Sequence, residues 1–423
     1  MKRITRFFLI AILQVTFLQA FSQDFWEEII LPDSFAYRCM DISPIGDIYL
    51  GMRGFSYPGG IYRSTDNAQT WQYLGLTEKP VYALEVCSNG DIIAGVFSGI
   101  FKSSDNGNTW YEVYYSSGNM TNIISLSNGY VFAGGVDNLH GIIRSDDFGE
   151  TWDTVHVFTN YGQENLKALA VSAEGHVYAG TYNMFGEGSI WFTIDLGETW
   201  TEISIPDFSP YWPWIFSLAV HPQGDLFAGF YGQGLYRYNF TTQQWTALYL
   251  PWVTPDDILF IGDYKIFVGL YQDPNGGAGV IYSEDGGQNF TTLNSGINGG
   301  NGGSIGYLFR HPNNLIFALG WGFYKSTVPV FTDVNDNVET ETIRSLNYPN
   351  PFTDKTIIGW CISEKDKFVN ITIVNASGKI ILKEKIINNG NYIFHAGNIK
   401  SGIYYYSILV GNNLYTGKMI CVN

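Results

Sequence analysis

Charge is scarce in this chain of 423 residues, and positive charge is scarcest: 23 lysines and arginines stand against 39 aspartates and glutamates, a formal charge of −16. A field of that sign repels phosphate backbones, so nucleic acid is not an expected partner. Cysteine is nearly absent. Cys39, Cys87, Cys361 and Cys421 show no Cys-x-x-Cys or Cys/His spacing, and no metal site is expected. No apolar run after the first 22 residues is long enough to cross a bilayer, so no transmembrane segment is expected once that leader is removed. Runs of Ala, Leu, Lys and Glu are few. There is no serine-nucleophile elbow and no His-Glu-x-x-His. The glycine-rich stretch Gly299–Gly303 has no Lys-Ser or Lys-Thr after it, so it reads as a flexible loop and not a phosphate cradle. None of these features calls for a cofactor.

Aromatic residues make up 17% of the chain, and there are 48 glycines. That mix favours strands and turns. Lys2, Arg3 and Arg6 precede the apolar run Phe7 to Leu18, and small residues at Ala20 and Ser22 fit cleavage before Gln23. Residues 1–22 therefore read as a secretory signal peptide. Its removal takes away three cations and moves the charge from −16 to −19. An exported chain permits disulfides, and Cys361 and Cys421 are close enough in sequence to share a module and pair.

One phrase recurs: Ser-x-Asp-x-Gly-x-Thr-Trp. It runs Ser64 to Trp71, Ser103 to Trp110, Ser145 to Trp152 and Thr193 to Trp200, with a worn copy at Ser283 to Phe290. A second phrase precedes each copy, as in Gly46-Asp47-Ile48-Tyr49-Leu50-Gly51 and Gly224-Asp225-Leu226-Phe227-Ala228-Gly229. It occurs seven times, the last two copies (265–269 and 315–318) being shortened. Turn residues followed by short alternating strands at a period of about 40 to 48 residues predict four-stranded propeller blades. The last blade stops at Ser326 without an outer strand, and Trp26-Glu27-Glu28-Ile29 matches Trp200-Thr201-Glu202-Ile203. The N-terminal segment is thus expected to complete the last blade and leave no open edge. The expected fold is all-β: a seven-bladed propeller over 23–328, a linker over 329–344 and a small β-sandwich over 345–423.

The carboxylates of Asp66, Asp105, Asp147, Asp195 and Asp285 can accept N–H groups of their own turns, a structural role. These phrases resemble the Asp-box, or bacterial neuraminidase, repeat of the sialidase-like superfamily. The resemblance implies the blade fold and places these turns opposite the usual binding face. It does not imply activity. A sialidase grips its substrate with an arginine cluster, whereas Arg63, Arg144 and Arg237 recur at one repeat position and no Phe-Arg-Ile-Pro motif is present. Sialidase activity is therefore not expected.

The C-terminal text differs. Asn347-Tyr348-Pro349-Asn350-Pro351-Phe352, Asn375-Ala376-Ser377-Gly378-Lys379, Gly402-Ile403-Tyr404 and Lys418 occur in that order. They resemble the type A sorting domain of the type IX secretion system. The resemblance implies that residues 345–423 engage that machinery. It also implies that the protein is secreted or displayed on the outer-membrane surface of a Gram-negative bacterium.

Loops leading into blades, and those between second and third strands, should share one face. They carry Trp212, Trp214, Trp252, Trp321, Tyr182, Tyr231, Tyr271 and Arg53. Aromatic rings beside polar groups suit sugar faces. The expected function is non-catalytic binding of an extracellular glycan or protein. The alternative is a glycoside hydrolase drawing a carboxylate pair from Asp137, Glu187, Asp256, Asp257 and Asp273.

Overall fold

The computed structural model describes residues 24–31, 37–52, 59–136, 141–158, 164–330 and 346–422, except 184, 186, 210, 212, 250–251, 272–278, 298–302, 349–350, 360–367, 376–378, 388–390, 398 and 411–412. Among these residues the fold is all-β, with no helix. Six antiparallel sheets precede residue 331. Five are four-stranded, and one over 81–157 is six-stranded. In the six-stranded sheet the strand Ile92–Ser103 pairs by its first half with Val81–Val86 and by its second with Tyr111–Tyr115. Asn119–Ser125, the far half of the next strand, pairs with Val131–Val136.

The sheet over 305–326 takes its fourth strand from the start of the chain. Trp26 lies opposite Ser326, Glu27 opposite Lys325 and Glu28 opposite Tyr324. Trp26 is buried, and its Nε1 donates to the Leu293 carbonyl at 2.7 Å. The expected strand completion is therefore present in the register.

Contacts link the strand Tyr37–Ile42 to Val81–Val86, and onward to Tyr111–Ser125, Asn165–Val171, Ile215–Val220, Thr254–Ile261 and Ile305–Arg310, which returns to Tyr37–Ile42. These inner strands approach closely because the following strand carries glycine. A Cβ on Gly269 would lie 2.6 Å from the Ile305 carbonyl oxygen, and one on Gly229 would lie 2.5 Å from that of Pro255. Six of the inner strands end or begin their sheet and leave unpaired backbone groups, as edge strands do. Side chains of the preceding inner strand reach across to such groups, and to those of Tyr111–Ser125, which lies inside its sheet. The Asp41 carboxylate accepts Val86 N at 2.7 Å, Glu85 accepts Ser125 N at 3.0 Å, and Asp257 accepts Leu308 N at 2.6 Å. Asn122 and Ser217 donate to the Leu166 and Pro255 carbonyls at 2.9 and 2.8 Å.

The recurring aspartates sit in turns of one geometry. In the turn of Asp105, the carboxylate accepts the Ser103 hydroxyl at 2.9 Å, Thr109 N at 2.8 Å and the Thr109 hydroxyl at 2.6 Å, while Gly107 N donates to Ser103 Oγ at 2.8 Å. The turns of Asp66, Asp147, Asp195 and Asp285 repeat this scheme, Asn289 taking the place of threonine in the last. Two successive residues have positive φ in each turn, and where other copies have glycine, Ala68 adopts φ 67°. The indole Nε1 of Trp110 donates to the Leu74 carbonyl of the preceding sheet at 2.8 Å, and that of Trp245 to Ser204 at 2.8 Å. Two of the arginines expected to be repeat features hold their own sheet's turns, Arg63 pairing with Asp47 and Arg237 with Asp225, and Lys102 does the same with Asp91 at 2.8 Å; Arg144 instead reaches the next sheet, donating to the Leu196 carbonyl at 2.7 Å and pairing with Glu198.

The C-terminal region forms two sheets of its own. One orders Leu346–Tyr348, Lys355–Gly359 and Asn391–His395; the other orders Ile380–Ile387, Phe368–Asn375, Gly402–Val410 and Asn413–Cys421. Ile358 and Phe394 from the first, and Phe352, which bridges to Cys421, meet Val369, Ile371, Ile373, Tyr406 and Met419 from the second in one core. Cys361 lies outside the described residues, as does its proposed pairing with Cys421.

Candidate functional site

Each inner strand carries one register shift near its start, between Tyr37 and Cys39, Val81 and Ala83, Met120 and Asn122, Leu166 and Ala168, Ile215 and Ser217, Pro255 and Asp257, and Ile305 and Tyr307. A bulge leaves one residue unpaired and re-aims its side chain. The residues so released are Arg38, Tyr82, Thr121, Lys167, Phe216, Asp256 and Gly306. Each stands eight positions before the turn that opens the next strand, as Arg38 does before Gly46 and Phe216 before Gly224.

Four of the expected aromatic residues come together here. Tyr182 meets Trp214 at 5.6 Å between ring centroids, and Trp214 meets Tyr231 at 5.3 Å. Tyr231 meets Phe216 at 5.2 Å, and Phe216 meets Tyr271 at 6.1 Å. The result is a continuous row of five rings across three sheets, with Tyr271 exposed and the others half-buried. Lys167 stands over the Phe216 ring, 4.8 Å from its centroid, and pairs with Asp256 at 3.1 Å. An ion pair among the bulge residues therefore flanks the row at Phe216.

Trp252 does not join Trp214. It packs edge-on against Tyr211 at 5.9 Å, and both rings are about half exposed. Trp214 and Trp252 therefore belong to two clusters. Trp252 has φ 70°, a conformation bulky residues rarely adopt and one that marks a strained position. Trp321 is 71% exposed and close to Gly303. Trp212 and Arg53 lie outside the described residues.

The carboxylates do not form a free pair among the described residues. Glu187 caps its own loop, accepting Asn183 Nδ2 at 2.9 Å. Asp256 is held by Lys167. Asp257 accepts Ile258 N at 2.8 Å and Leu308 N at 2.6 Å, one on each oxygen, and burial pushes it up to about 7. Asp137 and Asp273 lie outside the described residues. Asp41 and Glu85, which the sequence did not single out, are both raised by burial, and the Asp41 charge raises Glu85 further. Both are engaged with backbone donors of the next inner strand. Carboxylates occupied in this way are staples. No cluster of His, Cys, Asp and Glu among the described residues could hold a metal ion.

Phe216 and Lys167 were missed by sequence reading, because a bulge is a property of strand pairing and register. Their fixed distance from the turn was the available signal.

None of the curated proteins matches this sequence. Among solved structures, the chain is similar to YCF48 bound to D1 peptide, at 18% identity and a TM-score of 0.55, covering 73% of this chain and 98% of that one. It is also similar to PorZ, an essential surface component of the type IX secretion system of Porphyromonas gingivalis, at 13% identity and a TM-score of 0.52, covering 93% of this chain and 61% of that one. The extracellular domain of BT4673 from Bacteroides thetaiotaomicron matches at 13% identity and a TM-score of 0.53, covering 93% and 58%. At such identities the likeness speaks for the β-propeller fold alone. Residues 347–423 match the family model of the secretion system C-terminal sorting domain. The chain thus ends in a sorting domain that marks it for export by type IX secretion, to the cell surface or beyond.

Proposed function

We propose that the mature protein is a seven-bladed Asp-box propeller, closed by its N-terminal strand, that binds an extracellular glycan or protein without catalysis. Seven blades follow if the six-stranded sheet is divided where its pairing changes, between Tyr115 and Asn119. The circuit of inner-strand contacts and the pairing of Trp26–Glu28 support closure. On this reading the propeller spans 23–328, a linker follows over 329–344, and residues 345–423 engage the secretion machinery.

One observation carries the binding reading: the row Tyr182–Trp214–Tyr231–Phe216–Tyr271, flanked at Phe216 by Lys167 and Asp256. Tilted, partly exposed rings offer apolar area to sugar C–H groups, and the ion pair offers hydrogen bonds to hydroxyls. Glycoside hydrolysis is the weaker reading, since the described carboxylates are already engaged. YCF48, of the same fold, binds a peptide, which keeps a protein ligand as the counterpart reading. A glycan array probed with the mature chain separates these. Binding without release of reducing ends supports the proposal, and Trp214→Ala should weaken it at least tenfold. Release of reducing ends would favour the hydrolase. Silence on sugars, with capture of a peptide, would leave only the protein reading.

A further inference from the structure

Resting on the glycan reading, the structure assigns a ligand class to the bulge residues. We infer that they form a subsite for a single uronic acid residue. The circuit of inner strands places Lys167, Phe216, Asp256, Gly306 and Arg38 in that order. Lys167 reaches across Phe216 to Asp256 Oδ1, so these two charges cancel. The other oxygen of Asp256 lies over Gly306: a Cβ there would sit 3.1 Å from Oδ2. Gly306, the bulge residue between Asp256 and Arg38, contributes no side chain to that sector. Arg38 is exposed and makes no ion pair among the described residues. Arg38 and Asp256 both act on the Tyr307 hydroxyl, next in sequence to Gly306.

The sector therefore offers an uncompensated guanidinium, then a carboxylate oxygen, beside an aromatic row. A guanidinium grips a carboxylate through two parallel hydrogen bonds. The Asp256 oxygen accepts a hydroxyl, and the rings take the sugar's apolar face. A hexuronic acid carries all three groups on one ring. The chain's charge of −16 repels polyanions at long range. One carboxylate in an otherwise neutral glycan fits, and a densely charged polymer does not.

The test is calorimetric titration of the mature chain with four probes. They are an oligosaccharide ending in one glucuronic acid, the same compound with its carboxyl reduced to an alcohol, a fully charged oligogalacturonate, and a peptide with a free C-terminal carboxylate. The first should bind at least tenfold more tightly than the second and the third. Arg38→Gln should erase that ratio while leaving the melting temperature unchanged. Arg38→Lys should restore part of it. Equal affinity for the acid and its reduced form overturns the subsite but leaves the glycan reading standing. So does a preference that survives Arg38→Gln. Binding of the peptide alone, or of no probe, overturns the subsite, and the glycan array then decides the broader reading independently.

Discussion

Asp285 and Asp257 belong to one sheet and are displaced in opposite directions from the usual carboxylate range. Asp285, in an exposed turn, accepts the side chain and backbone N–H of Asn289, and these donors hold it down at about 2. Asp257, on an inner strand, also accepts two N–H groups, yet burial outweighs them and raises it to about 7. Asp285 has four donors in an exposed turn and Asp257 two where water is displaced, so donors prevail in the first and desolvation in the second. The turns use the carboxylate as an ionised anchor in water. The inner strands use it to satisfy a neighbour's edge where water is displaced, and they bear the desolvation cost for doing so.

The largest expected break in this contrast is Asp257→Ala. It strips the partner from two partly buried backbone donors and should cost about 1–3 kcal/mol for each one left unsatisfied. Asp195→Ala, in an exposed turn where water replaces the carboxylate, should cost visibly less. Urea denaturation of both variants measures the difference, and equal losses would refute the contrast.

A second effect is on pH dependence. Asp257, raised in the folded state, contributes most below about pH 4, and that contribution declines as pH rises toward 7. Asp195 and Asp285, lowered to about 2, contribute above about pH 4 and lose their effect as pH falls toward 2. The melting temperature should therefore peak in mildly acidic solution. Asp257→Asn should flatten the decline on the alkaline side and leave the acid side unchanged. A profile with unaltered slopes would show that the inner carboxylates do not titrate in that window.

The smallest effect tests the turns alone. Ala68 holds φ 67° where other copies place glycine, but its methyl is buried. Ala68→Gly should relieve strain of about 1 kcal/mol and lose part of the methyl's burial, for a net gain below about 1 kcal/mol. A lower melting temperature would mean that the methyl matters more than the backbone.

The strands were legible in the sequence because each repeat writes its turns in glycine and aspartate. The completing strand was legible because Trp26 copies Trp200. The link at Phe97–Ser98 was not, since Ser98 takes φ 71° without a glycine to announce it. The strand Asn391–His395 was missed for want of a strong apolar alternation. At the site, the rings of Tyr182, Trp214, Tyr231 and Tyr271 were found by loop position. Phe216, which joins the row to its ion pair, sits within a strand, where an aromatic residue ordinarily means core.

The clasp between Trp26–Glu28 and Phe323–Ser326 also sets an order of events. Its two halves leave the ribosome nearly a whole domain apart, so the array stays unlatched with one rim uncovered until Ser326 has emerged. Contacts of such sequence separation form slowly. Among the described residues, nothing after Val330 takes part in that pairing.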